Sequence, residues 1–211
     1  MSDCQAIVKK AVVDSMKKTY KTTWFQETGA LYRIEVALHK DVATLTLDAS
    51  GIGLHKRGYR SLHNQAPLKE TMAAAMVMLT TWNSSRPFVD PFCGSGTIPI
   101  EAAMIGQNIA PGFNRDFAAE NWSWIDKSIW NQAREEVEDL AKYDEPIDIT
   151  GTDIDHRSVE LAANNAIEAG FGDLIKFKQM QVKDFSHRSD YGVIVGNPPY
   201  GERLGEKEHP Y

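Results

Sequence analysis

The sequence predicts an α/β fold built on a parallel sheet and preceded by a smaller α+β segment. Short apolar runs alternate with helical patterns over residues 87–199, which is typical of strand-helix-strand units. One of these runs passes into a Gly-rich turn, a second ends in acidic residues, and the last ends in an Asn-Pro-Pro-Tyr tetrapeptide. Because the carboxyl ends of parallel strands share one edge of a sheet, these three features are expected at one cleft.

The first elements belong to the α+β segment. Residues 4–20 place Ile7, Val12 and Met16 at helical spacing and predict a helix. Residues 31–38 and 42–47 alternate apolar and polar side chains and predict two strands around a turn. One helix and one hairpin form a poor independent core, so we expect this segment to be part of a larger domain.

The α/β part continues in the order helix, strand, helix. Pro67 favours a helical first turn, and residues 72–79 continue an apolar helix. Residues 87–91 predict a buried strand that enters the Gly-rich turn, and residues 98–106 predict the helix after that turn.

The next strand comes late in the chain. Gly96 and Asp153 are separated by far more than the roughly 20 residues between turn and acid in a compact strand-helix-strand unit. We therefore expect an insertion at about residues 108–124, followed by an acidic helix at 126–142. Trp122 and Trp124 within the insertion either pack against a core, as large aromatics usually do, or stack on RNA bases.

Three further elements complete the predicted sheet. Residues 147–155 predict a strand with an acidic end, and 156–170 predict the helix that follows it. Residues 174–179 and 191–196 predict two more strands.

The Gly-rich turn, residues 90–97, predicts a ligand site. Gly94 and Gly96 allow close approach of the backbone to a ligand, and the start of the following helix favours an anionic group. The turn lacks the glycine spacing of the nicotinamide fingerprint and the Lys-Ser/Thr of a P-loop. Cys93 lies in this turn, so we interpret it as a small packing residue and not as the nucleophile of a cytosine-C5 methylase.

Acidic residues follow the next two strands. Asp153 is placed to bind ribose hydroxyls, whereas Asp155 fits an N-cap of the following helix. Asp184 either accepts a hydrogen bond from an adenine amino group or caps a turn.

The tetrapeptide at 197–200 suits methylation of an amino group. The lone pair of an exocyclic or amide nitrogen is delocalised, and two acceptors aimed at its N–H bonds localise it. The Asn197 side-chain oxygen and the Pro198 carbonyl are candidates, the prolines stiffen the loop, and Tyr200 offers a stacking face. The alternative is an ordinary Pro-rich turn.

The order of these motifs resembles the S-adenosylmethionine-dependent amino-methyltransferases. The closer resemblance is to THUMP-domain RNA methyltransferases of the RlmL type, which act on guanine N2 of large-subunit ribosomal RNA. It is carried by residues 54–60, 66–71, 90–97 and 197–204. It implies a Rossmann-like class I methyltransferase core at 67–211 without its C-terminal strands, a linker at 54–66 and a partial THUMP-like segment at 1–53.

The resemblance also implies roles for individual residues. The implied cofactor is S-adenosyl-L-methionine, with contacts expected at Lys69, Glu70, Thr71, Asp90, Pro91, Phe92, Cys93, Gly94, Ser95, Gly96, Thr97, Asp153, Ile154 and Asp184. The target base is expected at Asn197, Pro198, Pro199 and Tyr200.

The charge distribution favours an RNA partner despite a net charge of −6. Residues 1–70 contain 11 Lys and Arg against 7 Asp and Glu, and residues 71–211 contain 12 against 22. We expect RNA contacts at Lys56, Arg57, Tyr59 and Arg60, where cations flank an aromatic ring. The lysine-rich first helix is either a further contact or a solvated face.

Composition predicts a cytoplasmic protein without a membrane partner. The longest apolar stretch, 72–79, is too short to span a bilayer, and no metal is expected because the six histidines do not cluster. The chain is expected to be a fragment shortened at both ends, with exposed apolar faces. Three functions stay open: methylation of guanine N2 in RNA, methylation of adenine N6 in DNA or of a protein glutamine amide, and a non-catalytic RNA-binding fragment.

Overall fold

A computed structural model describes residues 2–59 and 68–199. Within these residues the chain forms two compact units. The first contains the described part of Met1–Ile52 together with Asp116–Trp130. The second contains the described parts of Gly53–Arg115 and Asn131–Tyr211. The domain boundaries expected from the sequence stay predictions.

The first unit contains the expected helix and hairpin. Helix α1 is Ser2–Tyr20, and strands β1 (Arg33–His39) and β2 (Val42–Asp48) pair antiparallel. Their register sets Val36 opposite Leu45 and Ile34 opposite Leu47, so that one face of the hairpin is apolar. Much of that face, including Leu38 and Leu45, is exposed among the described residues.

Part of the expected insertion packs within this first unit. The backbone N–H groups of Ala118 and Ala119 donate to the carbonyls of Ser50 and Ala49, at 3.4 and 3.1 Å. Trp122, only 3% exposed, stacks on Tyr32. The core interpretation of Trp122 is therefore confirmed, whereas Trp124 is 67% exposed.

The remaining elements form the α/β part. They are α2 (Glu70–Met78), β3 (Phe88–Asp90), α3 (Thr97–Gly106), α4 (Lys127–Leu140), β4 (Ile149–Asp153), α5 (His156–Glu168), β5 (Ile175–Gln179) and β6 (Val193–Ile194). Strands β3 to β6 form a parallel sheet in the order β5-β4-β3-β6. This arrangement confirms the predicted α/β fold.

The core of the second unit lies on one face of the sheet. Phe88, Ile149 and Ile175 are adjacent in register and almost fully buried. Helix α3 is buried along nearly its whole length and packs against α2, β3 and β4. In the described ranges, no helix is both long enough and apolar enough to cross a lipid bilayer.

Candidate cofactor and substrate cleft

A cavity of about 830 Å³, the size class of small-molecule sites, lies at the carboxyl ends of the parallel strands. Segments following β3, β4, β5 and β6 all contribute to it, as expected for an open α/β sheet. The lining residues are Leu68, Asp90, Pro91, Phe92, Cys93, Gly94, Ser95, Thr97, Ile98, Asp153, Ile154, Asp155, Ser158, Met180, Gln181, Val182, Lys183, Asn197 and Pro199.

The two glycines of the turn serve different purposes. Gly94 has φ +52°, and a Cβ built there meets no protein atom within 4 Å. Its missing side chain therefore leaves room for a ligand. Gly96 has φ +82°, and a Cβ there would lie 3.0 Å from the Ala162 Cβ on α5. Gly96 is thus required for helix packing and left-handed backbone, and does not itself line the cavity.

The turn is anchored to the sheet and to α5. The Cys93 N–H donates to the Thr152 carbonyl at 2.9 Å, and the Asn165 side-chain amide donates to the Ser95 carbonyl at 2.9 Å. Asn165 is almost fully buried on α5. Sequence reasoning missed it, because the only local signal is a polar residue on the buried face of a helix.

Asp153 and Asp155 make different contacts in the structure. The Asp153 carboxylate accepts hydrogen bonds from the backbone N–H of Gly94 and of Asp155, each at 3.0 Å. Asp155 caps α5, because its carboxylate accepts from the Arg157 N–H at 3.1 Å. The N-cap prediction for Asp155 is confirmed. Asp153 connects the end of β4 to the Gly-rich turn through its bond from Gly94.

Asp90 is the most deeply buried acid of the cleft. It accepts a hydrogen bond from the Phe92 N–H at 3.0 Å, and a Cβ added at Gly196 would lie 3.3 Å from its Oδ1. The pKa of Asp90 is raised to about 7, mainly by burial. The charge of Asp153 also raises it, and the hydrogen bond from Phe92 opposes the shift. A carboxyl with such a pKa in a cleft is typical of a functional site.

Cys93 has the properties of a packing residue. It is buried, and burial raises the pKa of its thiol, with a smaller contribution from the charges of Asp90 and Asp153. The thiol is therefore protonated at neutral pH and a poor nucleophile. This agrees with the interpretation drawn from its position in the turn.

The loop after β6 reaches the same cavity. Asn197 and Pro199 line it, whereas Pro198 is exposed and does not. The Val195 N–H donates to the Val89 carbonyl at 2.9 Å, which continues the β3–β6 pairing up to the loop. Tyr200 and Arg60, both expected site residues, lie outside the described residues.

Several expected cofactor contacts lie outside the cavity lining. Lys69 and Thr71 are exposed at the start of α2, Glu70 is buried there, and Asp184 is exposed at the end of a short 3-10 turn. The structure instead brings in neighbours, Leu68 before α2 and Gln181 to Lys183 after β5. Loop residues of this kind carry no periodic signal that would identify them from the sequence.

Arg57 and Tyr59 are placed differently from the expectation of RNA contact. Both are buried, and the Arg57 Nε and terminal N–H groups donate to the two Glu101 oxygens at 3.2 and 3.1 Å. The Tyr59 hydroxyl donates to Glu101 at 3.3 Å. Burial raises the pKa of Glu101, and the bonds from Arg57 oppose that shift. Arg57 and Tyr59 are therefore bound to Glu101 in the interior of the second unit, whereas Lys56 is exposed.

Comparison with known proteins identifies the family. Residues 57–210 match the model of UPF0020, described as the RMKL-like methyltransferase domain, and residues 1–48 match the THUMP domain. The chain belongs to the RMKL-like methyltransferase domain family. Membership confirms the expected methyltransferase fold, the THUMP resemblance and the expected cofactor class, S-adenosyl-L-methionine.

Individual RMKL-like relatives are close. The chain is 64% identical over 208 residues to "Putative RNA methyltransferase YpsC" of Bacillus subtilis (strain 168), covering 98% of this chain and 54% of that protein. A "predicted N6-adenine-specific DNA methylase" of Listeria monocytogenes is 60% identical with a TM-score of 0.91, covering 98% and 55% of the two chains. SMU.472, "a putative methyltransferase complexed with SAH", is 48% identical with a TM-score of 0.89, covering 96% and 54%. The chain spans about half the length of these relatives.

Proposed function

We propose that this chain is part of an enzyme that transfers a methyl group from S-adenosyl-L-methionine to an exocyclic amino group in RNA. The observation that carries the proposal is that Asn197 and Pro199 line the same cavity as the Gly-rich turn. A methyl acceptor held by the loop after β6 and a donor held by the turn would then share one cavity. We further propose guanine N2 of large-subunit ribosomal RNA as the target, from the resemblance to the RlmL type.

The cleft fits the donor. Gly94 leaves open space beside the turn, and Asp153 supplies a carboxylate for hydroxyl groups of a ribose. Ile154, Met180 and Val182 supply apolar surface for a base. When bound, the cofactor supplies an electrophilic methyl group on a positively charged sulfur, and the buried Asp90 provides a carboxyl in the same cavity.

Asn197 has the central part in the acceptor side of the proposal. Its side-chain oxygen accepts an N–H bond of the target amine. The Pro198 carbonyl, the second acceptor expected from the sequence, is not assigned that role because Pro198 does not line the cavity. The lone pair of the amine is then localised on nitrogen and directed at the methyl carbon. Alignment of the two reactants supplies much of the rate, and no general base with a shifted pKa is needed.

RNA is favoured over other acceptors by the first unit. Residues 1–48 match the THUMP domain, and the Bacillus relative carries the name of an RNA methyltransferase. The Listeria relative carries the name of an N6-adenine-specific DNA methylase, which favours a second candidate, methylation of adenine N6 in DNA. The tetrapeptide serves either acceptor, so it does not choose between them.

The acceptor is tested by transfer of tritium from labelled S-adenosyl-L-methionine. Ribosomal RNA, duplex DNA and total cell protein are supplied in parallel at equal mass. We expect label in RNA at least about tenfold above the other two, which corresponds to roughly 1.4 kcal/mol of preference. Preferential label in DNA or in protein would contradict the proposal, and digestion of labelled RNA to nucleosides identifies the methylated base.

A further inference from the structure

Three aromatic rings form a column in the first unit. Tyr32 and Trp122 stack with centroids 5.1 Å apart and planes at 17°, and Trp122 and Trp124 stack at 5.5 Å and 26°. Both separations lie in the range of offset-stacked aromatic pairs. The indole N–H of Trp122 donates to the Leu31 carbonyl at 3.0 Å, which fixes the middle ring.

The column ends in an exposed ring. Trp122 is 3% exposed and covers one face of Trp124, yet Trp124 remains 67% exposed. The opposite face of the Trp124 ring is therefore open among the residues described here. A large planar surface that is rigidly supported on one side and open on the other is suited to stacking with another planar group.

We propose that the open face of Trp124 binds a nucleobase of single-stranded RNA, which would extend the column by one ring. This proposal rests on the proposed RNA substrate. It assigns to residues 116–130 a contact that is distinct from the methyl-transfer cleft. Stacking on an indole is tolerant of base identity, because every base presents a planar face.

Polar side chains lie in the same segment as Trp124. Asn121 also lines a depression of about 530 Å³ together with Gly29, Ala30, Leu31 and Ala118. The exposed Asn121 amide can both donate to and accept from a base edge. Lys127, exposed three residues after Trp124, provides a cation for phosphate.

The test is binding of a fluorescently labelled 12-nucleotide single-stranded RNA, followed by anisotropy. We expect Trp124→Ala to weaken binding by about 5- to 100-fold, the range of one lost base stack, and Trp124→Phe to restore most of it. Because no phosphate contact is removed, the dependence of affinity on salt should be unchanged. Trp24→Ala is the matched control, since Trp24 is 71% exposed and has no ring stacked beneath it in the described part of the chain.

Defined results would overturn this proposal. They are unchanged affinity in Trp124→Ala, an equal loss in Trp24→Ala, or no RNA binding by the unmodified protein. The outcome is separable from the proposed function. If RNA is methylated and Trp124→Ala binds RNA as tightly as the unmodified protein, the stacking proposal is wrong and the proposed function stands. Weakened RNA binding by that variant, with label entering DNA or protein, supports the stacking site and removes the proposed acceptor.

Discussion

Asp90 lies where the Gly-rich turn and the loop after β6 meet. It ends β3, accepts a hydrogen bond from Phe92 within the turn, and lies against Gly196 immediately before Asn197. A larger residue at 196 would press on its carboxylate. Asp90 therefore packs between the turn and the loop, and burial opposes its ionisation.

The buried Asp90 should make stability depend on pH. Its pKa is raised to about 7 in the folded protein, above its ordinary value of 3.8. Between those pH values the folded protein retains a proton that the unfolded chain has lost, so stability falls as pH rises. Above pH 7 the ionised group costs on the order of 4 kcal/mol, and Asp90→Asn removes that cost.

The measurement is urea unfolding of both proteins from pH 4 to 8.5. The free energy of unfolding of Asp90→Asn minus that of the unmodified protein should increase by roughly 2–4 kcal/mol as the pH rises from 4 to 8.5. Most of the change should fall between pH 4 and 7. A difference between the two proteins that does not vary with pH would show that Asp90 ionises in the folded protein as it does in the unfolded chain.

At the scale of elements, α3 is held from two sides. Its first turn continues the Gly-rich turn, and one turn further Glu101 binds Arg57 and Tyr59. The ion pair is 3.1 Å long with side chains 9% and 2% exposed. Losing one partner of such a pair leaves an uncompensated buried charge, which usually costs about 3–5 kcal/mol, a large share of the roughly 5–15 kcal/mol that stabilises a typical protein.

A double-mutant cycle tests this role. We expect Arg57→Met and Glu101→Gln each to lower the free energy of unfolding by roughly 3–5 kcal/mol, and the double variant to lose at least about 1.5 kcal/mol less than the sum. The exposed Lys176–Asp148 pair, also 3.1 Å apart, is the matched control. Coupling there should stay below about 1 kcal/mol. Additive losses at Arg57 and Glu101 would contradict the structural role assigned to them.

The elements themselves were largely predictable, and their long-range contacts were not. Periodicity predicted the helices and strands to within a few residues, because their apolar side chains recur at helical or alternating spacing. Arg57 was expected to contact RNA because it lies among cations and an aromatic ring in the sequence. Its actual partner, Glu101, is 44 residues away and leaves no local signal. The same limit explains Trp122 and Trp124, which share one sequence context yet differ in burial.

On the scale of the whole molecule, the order of the strands in the sheet determines which loops meet at the cavity. Asp90 and Asn197 are far apart in the chain, yet β3 and β6 are hydrogen-bonded neighbours and their carboxyl ends meet. Sequence reasoning could predict that these strand ends share one edge. It could not predict which loop residues line the cavity, because loop conformation depends on contacts such as the Asn165 amide with Ser95.

The central claim is that Asn197 activates the acceptor amine and does not hold the cofactor. The most direct test pairs calorimetry with S-adenosylhomocysteine and tritium transfer to RNA, for Asn197→Ala and for Asn164→Ala as an exposed asparagine control. We expect Asn197→Ala to lose about 100- to 1,000-fold in turnover while keeping cofactor affinity within about threefold, with the control unchanged. Undiminished turnover in Asn197→Ala, or a loss confined to cofactor affinity, would contradict the claim.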